Sequence, residues 1–194
     1  MTAFLDNEPL SDAVSRARAG AHDAHGVIYR QLQQPVRTLA RRLVSSAAVA
    51  EDLAQDVFVE VLTSLGQYDG RGSFAGWVRT ITVRKCLMHL RSPWRRGLGW
   101  IESLGLAELD PCAGATTAGD AIDLERALER LGDTARAVVW LHDVEGYTHA
   151  EIGALLGGTP SLSKSQLARA HARLRELLET DGAKTPCMPA STNC

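Results

Sequence analysis

Between Arg71 and Arg96 the chain carries seven basic residues (Arg71, Arg79, Arg84, Lys85, Arg91, Arg95, Arg96) and no acidic one. Tyr68 sits just before this stretch, and Phe74, Trp77 and Trp94 are spread through it. Cations attract phosphate, and aromatic faces can stack on or wedge between bases. Just upstream, Glu51-Asp52-Leu53-Ala54-Gln55-Asp56-Val57-Phe58-Val59-Glu60 reads as an acidic helix. Asp52 and Asp56 are i, i+4 with Gln55 beside them, a compact target for a basic protein partner. A second cationic run, Lys164, Arg169, Arg173 and Arg175, again excludes acidic residues. This is the chemistry of recognition, and no constellation suited to catalysis accompanies it. No Ser/His/Asp set or carboxylate pair stands out. His22 and His25 are i, i+3 but have no third ligand, and the four cysteines lack CxxC or CxxH spacing, so neither a metal nor a cofactor is expected.

The near-neutral total hides this sorting of charge. The 194 residues sum to a net charge of −2, with 45% hydrophobic and 23% charged residues, as in a soluble globular protein. Residues 1–97 hold 13 Lys/Arg against 9 Asp/Glu, whereas residues 98–123 hold five acidic groups and no basic one. Two basic segments separated by an acidic tether is the pattern. No signal peptide and no apolar run of membrane length is evident, so a cytoplasmic setting without membrane insertion is expected. Cys86 reads as a packing residue, and Cys187 and Cys194 as incidental thiols of a Pro/Thr/Ser-rich end.

Apolar residues recur at i, i+3, i+4 with few strand signals, so the elements that position these groups are helices and the fold is expected to be all-α. Ser11–Leu32 and Pro35–Val44 read as two helices. Glu51–Leu65 is a third, with Leu53, Val57, Val61 and Leu65 inward and Asp52, Gln55, Asp56 and Thr63 outward. Phe74–Leu90 is a fourth: Phe74, Trp77, Val78, Ile81 and Met88 share one face, while Val83, Leu87 and Leu90 lie opposite, which predicts packing on two sides near its end. Phe74 and Trp77 read as core residues. The glycines of Tyr68–Ser73 allow a sharp turn, and the loop lacks the spacing of a nucleotide-binding loop.

Periodicity stops over Pro93–Asp120, a stretch of linker composition. It resumes at Ile122 and runs to His142. Thr148-His149-Ala150-Glu151 is a capping box opening a short helix that ends at Gly157-Gly158. Ser163-Lys164-Ser165-Gln166 offers a second such box for a longer helix with Leu167, Ala170, Leu174 and Leu178 inward. A short helix, a glycine turn and a longer helix with a basic outer face is a helix-turn-helix signal. Its alternative is a plain helical hairpin with a solvated charged face.

Taken together, the runs Ala50-Glu51-Asp52-Leu53-Ala54-Gln55-Asp56-Val57-Phe58 and Tyr68-Asp69-Gly70-Arg71-Gly72-Ser73-Phe74-Ala75-Gly76-Trp77-Val78-Arg79-Thr80-Ile81 resemble region 2 of extracytoplasmic-function sigma factors of the sigma-70 family. Asp143-Val144-Glu145-Gly146-Tyr147-Thr148-His149-Ala150-Glu151-Ile152-Gly153, followed by Lys164-Ser165-Gln166-Leu167-Ala168-Arg169-Ala170, resembles region 4. The resemblance implies two small helical domains, residues 12–96 and 122–179, joined by a flexible linker over 97–121 and followed by a disordered tail over 180–194. It implies a subunit that directs core RNA polymerase to promoters and nucleates melting. Asp52, Gln55 and Asp56 would meet the β′ clamp helices, and the β subunit would also be contacted. Tyr68, Arg71, Arg79, Arg84 and Lys85 would meet the −10 element, and Lys164, Ser165, Gln166, Arg169 and Arg173 the −35 element. An anti-sigma factor is a further expected partner. The sequence departs from the usual pattern where Val83-Arg84-Lys85 replaces an Asn and where Leu162-Ser163 replaces Thr-Val.

Two other readings remain. One is a helix-turn-helix regulator that binds duplex DNA independently of polymerase, although no ligand pocket is legible in its first half. The other is an adaptor working through protein contacts alone, which leaves both basic segments unexplained.

Overall fold

The computed structural model describes residues 4–91 and 120–182. Residues 97–119 of the expected linker, Trp94, Arg95 and Arg96 before it, and the tail cysteines Cys187 and Cys194 lie outside them. Among the described residues every regular element is helical. In the first half these are α1 (Glu8–Arg18), α2 (His22–Leu43), α3 (Ala47–Thr63), a single 3-10 turn (Leu65–Gln67) and α4 (Phe74–Arg91). In the second half they are α5 (Asp120–Glu129), α6 (Asp133–Val139), a widened turn (Trp140–Val144), α7 (His149–Leu156) and α8 (Pro160–Gly182).

Two of these boundaries differ from the sequence expectation. The chain from Ser11 to Leu32 is two helices, because Gly20 adopts φ +93 and the Ala21 amide donates back to the Arg16 carbonyl, closing α1. Pro35, expected to open a helix, lies inside α2. Interior proline costs about 3 kcal/mol. Here Leu32, Val36, Leu39 and Leu43 continue one fully buried stripe past it, and that burial outweighs the lost amide.

The stripe explains the architecture. Ala24, Ile28, Leu32 and Val36 of α2 pack with Val57, Phe58 and Val61 of α3 and Phe74, Val78 and Ile81 of α4 in one core. The opposite ends of the same helices, Leu39 and Leu43, Ala50 and Leu53, and Val83, Leu87 and Leu90, form a second core with Leu131, Val138, Leu141, Ile152, Leu167 and Leu174 of the second half. The two-sided packing expected of α4 is present, and its second side is covered by the C-terminal helices. Met88, expected inward, is 57% exposed because the first core has ended before that turn. Cys86 is buried in the second core, and burial pushes its thiol up to about 12.

Candidate functional site

Three surfaces carry the chemistry. The first is α3, capped by the Ser46 hydroxyl, which accepts from the Val49 amide at 3.4 Å. Leu53, Val57 and Val61 are buried, which turns Asp52, Gln55 and Asp56 outward together. The flanking acids are engaged within the fold. Glu51 takes Arg37 at 2.6 Å, and Glu60 takes both Arg84 and, at 3.0 Å, Lys85. Asp52 and Asp56 have no ion pair among the described residues, so these two carboxylates are the charge the helix offers outward. Val59, which the sequence reading passed over, extends the same stripe by one turn and is 63% exposed.

The second surface is the Tyr68–Ser73 loop and the helix behind it. Gly70 (φ +79) and Gly72 (φ +81) make the turns that other residues resist. The Asp69 side chain accepts from the Arg71 amide at 2.9 Å, and the Ser73 hydroxyl caps α4 by accepting from the Gly76 amide at 2.9 Å. Asp6 accepts from the Ala75 amide at 3.0 Å and ties the N-terminal segment to the same helix end. Tyr68 is placed differently from a base-stacking residue. It is 9% exposed, its ring meets Phe74 and Trp77 at 5.1 and 5.6 Å, and its hydroxyl donates to the Gly72 carbonyl at 2.7 Å. It shapes the loop from inside. Arg71, 91% exposed, stands at the tip with Asp69 3.6 Å away. A cavity of about 230 Å³ lies between the loop and α1, lined by Asp6, Ser15, Arg18, Tyr68, Gly72 and Phe74.

The basic residues of α4 do not form one open stripe. Arg84 and Lys85 lean on Glu60 of α3. Arg79 turns toward the second half, where its Nη2 donates to the Glu145 carbonyl at 2.7 Å. Its Nε lies 2.7 Å from a Glu145 carboxylate oxygen, an ion pair too poorly aligned for a hydrogen bond. No local sequence signal announces this pairing, because its partners are 66 residues apart.

The third surface is the helix-turn-helix. Thr148 and Glu151 form the expected capping box, the Thr148 amide donating to Glu151 at 2.8 Å and the Glu151 amide to the Thr148 hydroxyl at 3.2 Å. The Thr148 hydroxyl, donating to the Glu151 carboxylate at 2.7 Å, and then the Thr148 amide hold that carboxyl below the usual carboxylate range. Gly157 (φ +71) ends α7, and the Gly158 amide donates to the Gly153 carbonyl at 2.8 Å. The second capping box does not form. α8 opens four residues earlier, with Pro160 at its first position and the Thr159 hydroxyl accepting from the Leu162 amide at 3.3 Å. Ser163 is instead fully buried, 3.1 Å from His149 Nδ1. Lys164, Ser165 and Gln166 therefore sit in the second turn of α8 and Arg169 in the third. Lys164, Ser165 and Arg169 are exposed and Gln166 is half-buried. Arg173 is drawn to Glu176 at 2.9 Å.

Behind the motif, Asp143 joins His142 (2.9 Å) to His171 of α8 (2.7 Å). Burial pushes the Asp143 carboxyl up, but the two imidazoles outweigh it and leave it below its ordinary value. His149 stacks on His142 at 4.4 Å. Desolvation, followed by His142 and Lys164, holds His149 below its ordinary 6.5. Among the described residues no three His, Cys, Asp or Glu side chains converge as a metal site, and no helix is long and apolar enough to cross a membrane.

Comparison with known proteins finds two family matches in this chain. Residues 28–96 match the family description of sigma-70 region 2, and residues 121–174 that of sigma-70 region 4. The RNA polymerase sigma factor CarQ of Myxococcus xanthus is 33% identical over 174 residues, covering 85% of this chain and 95% of that protein. The ECF RNA polymerase sigma factor SigE of Mycolicibacterium smegmatis is 32% identical over 189 residues, covering 92% of this chain and 72% of that one. Among solved structures, the sigma factor RpoE of Bartonella quintana, crystallised with the anti-sigma factor NepR, superposes with a TM-score of 0.51 at 25% identity. That match covers 79% of this chain and 95% of the other.

Proposed function

This chain belongs to the extracytoplasmic-function branch of the sigma-70 family of RNA polymerase sigma factors, and on that premise we propose how its surfaces divide the work of initiation. As a sigma factor it binds core RNA polymerase and directs transcription from specific promoters. The α3 face of Asp52, Gln55 and Asp56 docks on the β′ clamp helices, with Val59 as its apolar contact, and the β subunit adds a further contact. The observation that carries this reading is the pairing pattern. Glu51 and Glu60 are satisfied within the fold, whereas Asp52 and Asp56 have no ion pair among the described residues and can take a partner's cation.

The loop over 68–73 and α4 engage the −10 element. Arg71 reaches the DNA directly, Tyr68 sets the loop's shape, and Arg79, Arg84 and Lys85 supply phosphate contacts once released from their intramolecular partners. α8 lies in the major groove of the −35 element, with Lys164, Ser165, Gln166 and Arg169 toward the bases and Arg173 toward phosphate. The functional halves are residues 12–96 and 122–179, with 97–121 as the connecting linker and 180–194 as a tail. An anti-sigma factor is the regulatory partner, as seen for the Bartonella relative, and the setting is the cytoplasm. The factor performs no chemistry of its own. Reversing Asp52 and Asp56 to Arg tests the docking surface. Binding to core polymerase should be lost while the helical circular dichroism is kept, and unchanged affinity for core would remove the assignment.

A further inference from the structure

In this fold the second half lies across the side of α4 that carries Arg79. At Arg79 the contact is made by one short turn. Glu145, Gly146 and Tyr147 follow the widened turn at Trp140–Val144, whose backbone pins them: the Glu145 amide donates to the Trp140 carbonyl at 3.1 Å and the Tyr147 amide to the Leu141 carbonyl at 2.9 Å. Gly146 supplies the reversal with φ +75. The turn brings three things to the Arg79 guanidinium. The Glu145 carboxylate, whose side chain is only 7% exposed, forms the ion pair. The Glu145 carbonyl takes a 2.7 Å hydrogen bond. The Tyr147 ring lies under the cation at 5.3 Å. An anion, a second oxygen acceptor and a flat aromatic face are what a nucleotide offers an arginine: phosphate oxygens and a base.

The contact is not isolated. Arg42 pairs with Glu125 and lies over the Trp140 ring at 5.0 Å. The Ser45 amide donates to buried Asp133 at 3.0 Å. Arg91, at the end of α4, donates to the Leu155 carbonyl at 3.2 Å. Each of these joins an element of the first half to one of the second, and they border the core that both halves share.

We propose that the Glu145–Tyr147 turn is an internal surrogate for promoter DNA, so that the chain by itself is closed and its Arg79 is unavailable until the halves separate. This rests on the reading of Arg79 as a −10 contact. A site that is competent only when open binds with an affinity reduced by the open fraction. Loosening the lock must therefore raise DNA affinity without any new contact to DNA.

The test uses the full chain without polymerase and a fluorescein-labelled single-stranded DNA 20-mer of random sequence, followed by anisotropy at low salt. Glu145→Gln keeps the oxygen that Trp140 Nε1 contacts at 3.3 Å but removes the negative charge that faces Arg79. It should bind the 20-mer about tenfold more tightly than wild type, with a larger radius of gyration in small-angle scattering. Tyr147→Leu, which keeps apolar bulk, should give a smaller rise in the same direction. Glu179→Gln is the control for net charge and should leave affinity within about twofold of wild type. An equal rise in Glu179→Gln, or no rise in Glu145→Gln and Tyr147→Leu, overturns the closed state. Arg79→Gln added to Glu145→Gln should return affinity to the wild-type level. If the double variant binds as tightly as Glu145→Gln alone, the −10 role of Arg79 is wrong, and the surrogate falls with it. If Arg79→Gln weakens binding but Glu145→Gln changes nothing, the surrogate alone is wrong.

Discussion

Replacing Gly153 by alanine tests the geometry of the helix-turn-helix at its tightest point. A methyl built on Gly153 would lie 2.7 Å from both the carbonyl carbon and the oxygen of Thr159 and 3.0 Å from the Pro160 nitrogen. Carbon atoms in contact prefer about 3.5–4.0 Å, so the turn leading into α8 must retreat by roughly 1 Å. It cannot retreat freely, because the Gly158 amide is bonded to the Gly153 carbonyl and the Thr159 side chain caps α8. Overpacking of this kind costs about 1–3 kcal/mol, against which alanine recovers up to about 1 kcal/mol of helix propensity. Overpacking wins, leaving a net loss of about 0.5–2 kcal/mol and a fall in Tm of about 1–8 °C. Displacing the start of α8 also moves Lys164, Ser165 and Gln166 together, so −35-dependent transcription should fall by more than the stability loss explains. Differential scanning calorimetry and run-off transcription at a fixed promoter measure the two effects. Gly66→Ala is the control, since a methyl there meets nothing within 4 Å. A Gly153→Ala protein as stable and active as the Gly66→Ala protein would show that the Thr159–Pro160 turn yields without cost.

Three further outcomes follow from the same surfaces. Replacing residues 69–73 with a flexible linker should leave closed-complex formation largely intact while eliminating permanganate-reactive thymines at −10; normal reactivity would move melting elsewhere. In a randomised −35 library, Gln166→Ala and Arg169→Ala should each change the preferred sequence, a discrimination of about 1–3 kcal/mol per lost base contact, whereas Arg173→Ala should weaken all sequences alike. The same consensus from all three variants and wild type would make α8 a phosphate anchor. His149 is held below 6.5, so the unfolded chain takes up its proton first as pH falls. Its contribution to stability is whole above pH 6.5 and is lost as pH falls through the lower folded value. Asp143 adds a second loss below its ordinary 3.8. His149→Gln should flatten the decline in unfolding midpoint between pH 7 and 5, and an unaltered slope would show that this imidazole is not the titrating group.

What could be read in the sequence was whatever depends on neighbours a few residues apart. The outward face of α3 follows from i, i+4 spacing, and the Thr148–Glu151 box closes within one turn. Local rules failed where two of them competed. Ser163 and Gln166 fit a capping box, but Thr159 with Pro160 at the next position is a helix start as well, and burial of Ser163 against His149 decided between them. Pro35 reads as a boundary until Leu32 and Val36 are seen to be buried on either side of it. The docking of the halves through Arg79, Ser45 and Arg91 joins residues 64 to 88 positions apart. Its one trace in the sequence was the second apolar face of α4. For the same reason α4 read as an open basic helix, although Arg84 and Lys85 are held by Glu60 and Arg79 by Glu145.

Run-off transcription from genomic templates, with core RNA polymerase and this chain each omitted in turn, measures directly whether the chain gives polymerase its promoters. Discrete start sites should appear only when both are present, and Asp52→Arg with Asp56→Arg should abolish them without unfolding the chain. Start sites that persist without the chain, or a chain that protects its sites on duplex DNA equally well without polymerase, would contradict the account.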